Sequence, residues 1–213
     1  MPGFERPRIF RPPSEWMSYY LPLTNGCSNN TCIFCYYYGS KLQMRDVEEV
    51  KAEIDALHLF KTRGLMPPDV DRTVHILASQ WDGRRVFLQD GDALVYPFPR
   101  LLEVLDYLNE KFPKLERIAV YATAQDILRR SVEELRQLAE RKLNILYIGL
   151  ESGDDEILRD IGKNTTAAEM IAAAQRVEEA GLTLSVMVIL GLGGVERSEQ
   201  HAVATADVLS RMD

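Results

Sequence analysis

The stretch RIAVYATAQDILRRSVEELRQLAERKLNILYIGL, residues 117–150, decides the fold class. RIAVYA (117–122) and NILYIGL (144–150) are short and apolar at successive positions, so both faces of each strand are expected to be covered. Between them SVEELRQLAERK (131–142) spaces its apolar residues as a helix does, and Ser131 followed three residues on by Glu134 is a capping-box pattern. Strand, helix and strand, with both strands buried, is the unit of a parallel sheet with right-handed crossovers.

The same unit recurs on either side. MSYYLPLT (17–24) reads as a first strand, and DVEEVKAEIDALHLF (46–60) as a helix with Asp46 and Glu49 at capping-box spacing. RVFLQ (85–89) is a second strand and FPRLLEVLDYLNEKF (98–112) its helix. Further on, Thr166 and Glu169 open a helix that Gly181 ends, LTLSVMVIL (182–190) is a fifth strand, and residues 198–212 form a last helix. Five such units predict a parallel α/β barrel, complete or partial, or an open doubly wound sheet. Both place functional groups at the carboxyl ends of the strands. Residues 64–84 break the rhythm at Pro67-Pro68 and read as an insertion, with an extra helix between Asp71 and Trp81. Residues 1–15 read as an N-terminal extension of a core spanning 16–213.

Composition narrows the function. The 213 residues are 46% hydrophobic and 27% charged, the balance of a soluble globular chain. Lys plus Arg is 25 against 32 Asp plus Glu, a net charge of −7, so a nucleic-acid partner is not expected. No apolar run reaches the roughly 20 residues that span a bilayer. The basic, proline-rich start MPGFERPRIFRPP lacks the apolar centre of a secretory signal. The expected compartment is the cytoplasm, with no membrane partner.

All three cysteines, Cys27, Cys32 and Cys35, fall in TNGCSNNTCIFCYYYGS (24–40), just after the first strand. An odd, clustered set argues against a disulfide framework and for a metal centre. Thiolates suit zinc or an iron–sulfur cluster. A closed zinc site wants four ligands, and His58, His75 and His201 lie far off in sequence. Three thiolates on a four-iron cluster leave one iron open to a ligand. The intervening Gly26, Ser28, Asn29, Asn30 and Thr31 are loop residues, which argues against three core cysteines.

With this motif ahead of the βα rhythm, the chain resembles the radical S-adenosylmethionine (radical SAM) enzymes over about residues 16–213. Its Cys-x4-Cys-x2-Cys spacing is one residue wider than the commonest family pattern and similar to an uncharacterised branch. Phe34 holds the family's aromatic position before the third cysteine. The resemblance implies a partial (β/α)6 TIM-like barrel, cut short before its sixth strand. It implies a [4Fe–4S] cluster on Cys27, Cys32 and Cys35, with SAM on the open iron. Asp90, Gly91 and Asp92 would meet the SAM amino group, Glu151 the ribose hydroxyls, Lys163 the carboxylate, and Leu190 and Gly191 the adenine. Each has a plainer reading: a turn at 90–92, a helix-opening acidic cluster after Glu151, an exposed lysine, a glycine-rich turn. Tyr36, Tyr37 and Tyr38 are expected to pack on the first helix. The implied activity is reductive cleavage of SAM to a 5′-deoxyadenosyl radical that abstracts hydrogen from an unidentified substrate. Its partner would be an external flavodoxin- or ferredoxin-type reductant. The alternative is a non-catalytic iron–sulfur or zinc-binding scaffold or redox sensor, which has no need of Asp92 and Glu151 at strand ends.

Overall fold

Five parallel strands form one sheet in the order β1 (Tyr19–Pro22), β4 (Arg85–Gln89), β5 (Arg117–Ala122), β6 (Leu143–Glu151) and β7 (Thr183–Val188). The structure is a computed structural model and describes residues 4–212. Between β1 and β4 a two-stranded hairpin, β2 (Thr24–Asn25) with β3 (Gln43–Met44), encloses the cysteine loop. Eight α-helices accompany the strands among the described residues. The arrangement is a parallel α/β sheet of the partial TIM-barrel kind, as the repeating units predict.

Register explains which residues face where. Leu21, Leu88, Val120, Leu146 and Leu184 form one row across the sheet and pack against the helices. Adjacent positions face the opposite way, because successive strand side chains alternate. There Tyr20, Phe87, Ala119 and Tyr147 form a second cluster on the inner face. The Phe87 ring meets the Tyr121 ring edge-on at 4.9 Å, and Tyr147 at 5.8 Å. These strands read as apolar throughout because each face has its own core.

The predicted helices form with small shifts. α1 spans Val47–Arg63, α3 Phe98–Lys111, α5 Val132–Glu140, α7 Ala167–Glu179 and α8 Ser198–Ser210. Both boxes predicted at Ser131–Glu134 and Thr166–Glu169 close. The one at Asp46 does not: Asp46 accepts the Glu48 N–H at 2.9 Å, while Glu49 lies 3.8 Å from Arg45. Two short helices join them: α4 (Ala124–Arg129), which the sequence pattern does not mark, and α6 (Asp155–Asp160), which follows the acidic cluster after Glu151. The acidic run at 154–156 is the signal for the second, since Asp154 accepts the Glu156 and Ile157 N–H groups. Within residues 64–84, α2 (Arg72–Gln80) buries Val74 and Ala78, with Trp81 just beyond, in the main core.

Residues 4–15 are packed against the sheet. The turn Pro13–Glu15 places the Glu15 carboxylate, wholly buried, at the amino end of the strands, 2.6 Å from Arg117 and 2.7 Å from the Tyr147 hydroxyl. Arg6 reaches the Tyr20 carbonyl at 3.2 Å and pairs with the buried Glu53, which also takes Arg45 at 2.7 Å and the Tyr19 hydroxyl at 2.5 Å. The Gln89 side chain donates to the Arg8 carbonyl at 2.6 Å. Among the described residues no helix is long and apolar enough to cross a membrane.

Candidate cluster and cofactor site

The cysteine loop folds back over the carboxyl end of β4. The Gly26 N–H donates to Asp90 Oδ2 at 3.2 Å, and the Tyr37 hydroxyl donates to Asp90 Oδ1. The Ser28 hydroxyl, next to Cys27, donates to Asp92 and lies 3.3 Å from Asp126 at the start of α4. Gly91 sits beneath: a Cβ there would lie 2.7 Å from the Tyr37 ring and 3.3 Å from Cys27 Cβ. Only a residue without a side chain lets these two segments meet. The loop also docks on the segment after α6, where Ile33 N–H donates to the Ile161 carbonyl at 3.0 Å and Thr31 to Gly162 at 2.7 Å.

That second docking brings Lys163 to the site. Its ammonium is 3.1 Å from Glu151 Oε1. Glu151, mostly buried at the end of β6, holds a left-handed backbone with φ of 62°. Its carboxylate folds over Gly149, where a Cβ would come within 1.9 Å of Oε1. The Glu151 carbonyl accepts the Ile189 N–H at 3.2 Å, which ties β6 to the segment after β7. Leu190 and Gly191 follow on the exposed lip.

The three thiols are free, with Cys32 buried and Cys27 and Cys35 half-buried. Burial, with the nearby Asp92 charge, pushes the Cys27 thiol up to about 12, and Lys163 opposes that rise. Burial also raises the Cys32 thiol. Metal ligation must therefore displace protons from two reluctant thiols. Among the described residues no group of three or more His, Cys, Asp and Glu side chains converges on a single ion. A four-iron cluster asks something else, that each cysteine meet a different iron. Asn29 Nδ2 donates to Cys32 Sγ at 3.0 Å, the kind of contact that tunes a cluster sulfur. The donor set fits a [4Fe–4S] centre on Cys27, Cys32 and Cys35.

The acidic strand end divides its labour. Burial raises the Asp90 carboxyl to about 6, against the hydrogen bonds from Tyr37 and Gly26. Burial and the neighbouring Asp126 carboxylate hold Asp92 well above the usual carboxylate range. Asp92 is turned toward Ser28 and Asp126, and its Oδ1 has no partner among the described residues. Phe34 is partly exposed on the loop. The expectation that the tyrosine run packs on the first helix needs correction. Tyr36 and Tyr38 are exposed, and Tyr37 lies against Asp90 and the Phe10 ring, because the loop closes over β4 instead. The sequence reading missed Ser28, Asp126 and His201, none of which has a local pattern to mark it.

A parallel α/β half-barrel with a three-cysteine loop and polar strand ends on one rim defines the class. The chain belongs to the radical SAM superfamily, whose sequence profile matches residues 21–206. Members of this family use a [4Fe–4S] cluster and S-adenosylmethionine. The chain is 23% identical over 175 residues to a Methanocaldococcus jannaschii protein named as a methylthiotransferase, covering 78% of this chain and 33% of that one. It is 26% identical over 132 residues to the heme chaperone HemW of Bacillus subtilis, covering 60% of this chain and 34% of HemW. The cobalamin-dependent SAM radical enzyme OxsB superposes with a TM-score of 0.64 at 19% identity, over 89% of this chain and 26% of that one. The chain thus spans about a third of the length of the curated relatives it matches.

Proposed function

We propose that this chain is the core of a radical SAM enzyme in which Cys27, Cys32 and Cys35 hold the cluster. One observation carries the reading: the cysteine loop is bonded to Asp90 and docked beside Lys163 and Glu151, so cluster ligands and polar strand ends share one rim. The chemistry supplied when both groups are bound is one-electron cleavage of SAM to a 5′-deoxyadenosyl radical that takes hydrogen from a substrate. This chain's residues do the positioning and exclude water. Asp90 and the backbone at Gly91 would meet the amino group. Lys163, paired with Glu151 here, would meet the SAM carboxylate, and Glu151 would accept the ribose hydroxyls. Leu190 and Gly191 would cover the adenine, and Phe34, next to Cys35 on the cluster loop, would contact the cofactor. Asp92 serves this rim indirectly, by holding Ser28 beside Cys27. The inner-face rings of Phe87, Tyr121 and Tyr147 give a largely apolar floor.

An external one-electron reductant is the partner this chemistry requires. The three free cysteines suit a reducing compartment such as the cytoplasm. The test is anaerobic reconstitution with iron and sulfide, then EPR of the reduced protein with and without SAM. A four-iron signal that changes on adding SAM supports the reading. Zinc uptake without a cluster, or a cluster signal indifferent to SAM, refutes it.

A further inference from the structure

Helix α8 lies across the carboxyl ends of β6 and β7, and two glycines let its backbone come close. A Cβ on Gly153 would stand 2.2 Å from the Ala204 carbonyl oxygen, and one on Gly193 2.7 Å from that of Arg197. Gly153 N–H donates to the Thr205 hydroxyl of the same helix at 3.0 Å.

His201 fills the gap this contact creates, and it is only 4% exposed. Its Nε2 is 3.1 Å from the Ile189 carbonyl oxygen, and its Nδ1 is 2.8 Å from Ser152 Oγ. A carbonyl can only accept, so Nε2 carries the proton and donates. Nδ1 is then the acceptor, and the Ser152 hydroxyl donates to it. Ser152 Oγ in turn accepts the Asp154 N–H at 3.1 Å, at the cap of α6. Both ring nitrogens therefore have a partner.

These bonds join two strand ends with different tasks. Ser152 adjoins Glu151, and Ile189 adjoins Leu190 and Gly191. We infer that His201 is a positioning residue, a cross-brace that sets the spacing between the ribose-binding end of β6 and the adenine-binding end of β7. The inference rests on the SAM reading above. His201 itself touches no ligand. It acts only on the adenosine half of SAM, since the amino and carboxylate contacts sit on Asp90, Gly91 and Lys163.

The test measures equilibrium binding to the reconstituted full chain, with SAM, 5′-deoxyadenosine and methionine as separate probes. His201→Ala is expected to weaken SAM and 5′-deoxyadenosine about tenfold, the worth of one buried hydrogen bond, while methionine affinity and the reduced-cluster EPR spectrum stay unchanged. His201→Gln keeps a donor near Nε2 and is expected to recover most of the loss. His201→Asn keeps an acceptor near Nδ1 but not the Ile189 link, and is expected to recover less. The Gln and Asn variants preserve polarity at the buried site and carry the test if the alanine variant does not fold. Equal losses for methionine and 5′-deoxyadenosine, or SAM affinity within about twofold of wild type in all three variants, would overturn the brace. A wild-type cluster indifferent to SAM overturns the radical SAM reading and the brace together, whereas SAM binding unaffected by His201 overturns the brace alone.

Discussion

The two edges of the sheet are built differently. At one, all four residues of β1 are buried, and the N-terminal segment lies alongside with Arg6 bonded to the Tyr20 carbonyl. Behind it the Glu53 carboxylate is surrounded by Arg6, Arg45 and Tyr19. At the other edge, β7 is half-exposed along its length and Thr183 is open to solvent. The buried edge holds its shape by charge pairing with little solvent to screen it, so each partner there is costly to remove. The open edge depends on one neighbouring strand and on α7 and α8, so single side chains matter less there.

The largest effect should come from the sealed edge. Glu53→Ala leaves two arginines with a buried vacancy between them, and is expected to cost about 3–5 kcal/mol in denaturant unfolding. A loss below about 1 kcal/mol would put Glu53 on a par with surface ion pairs and erase the contrast between edges. The pH dependence should separate Glu53 from Asp90. Burial alone would raise the Glu53 carboxyl, but Arg6, Arg45 and Tyr19 hold it below its ordinary 4.5. Its stabilisation is therefore present above that value and is lost as pH falls through its native pKa.

Asp90 has the opposite sign. Its native carboxyl titrates at about 6 against an ordinary 3.8, so the folded chain holds the proton more tightly than the unfolded one. Stability is lost as pH rises from 3.8 to about 6, by up to about 3 kcal/mol. Asp90→Asn should recover much of that loss in the metal-free chain at about pH 8 and little at about pH 4. Urea unfolding of both proteins at the two pH values checks it, and an equal effect at both would show that the carboxyl is not strained.

Smaller effects belong to the open side. Thr166→Ala removes the cap of α7, whose side chain accepts the Glu169 N–H at 3.2 Å, and should cost about 1 kcal/mol by thermal unfolding. Thr183→Ala on β7 should change stability by no more than about 0.5 kcal/mol. If Thr183→Ala proved as costly as Thr166→Ala, the β7 edge would be more tightly packed than its exposure indicates.

Much of this was legible because it is local. The apolar strands, the caps at Ser131 and Thr166, and the spacing of Cys27, Cys32 and Cys35 rest on residues within a few positions of one another. The helix at 155–160 is legible too, through the Asp154 cap, as the plainer reading of the acidic cluster after Glu151. The helix leaves Glu151 on the rim, since Asp154 makes the cap and Glu151 pairs with Lys163. Asp92 was harder to read. Its sequence position after β4 says only that it lies near the rim, while its direction depends on Ser28 and Asp126, 64 and 34 residues away.

The sequence by itself determined the parallel α/β architecture, the three-cysteine loop after the first strand and the strand ends on which chemistry would sit. Periodicity, capping and ligand spacing are properties of neighbouring residues, so one strand of text contains them. Only the tertiary structure decided that the N-terminal segment seals β1, that Tyr37 covers Gly91, that Lys163 meets Glu151 and that His201 joins β6 to β7. Each of these is a contact between groups with no sequence pattern in common. They meet because burying both faces of the sheet leaves one arrangement in which the polar groups at its rim find partners.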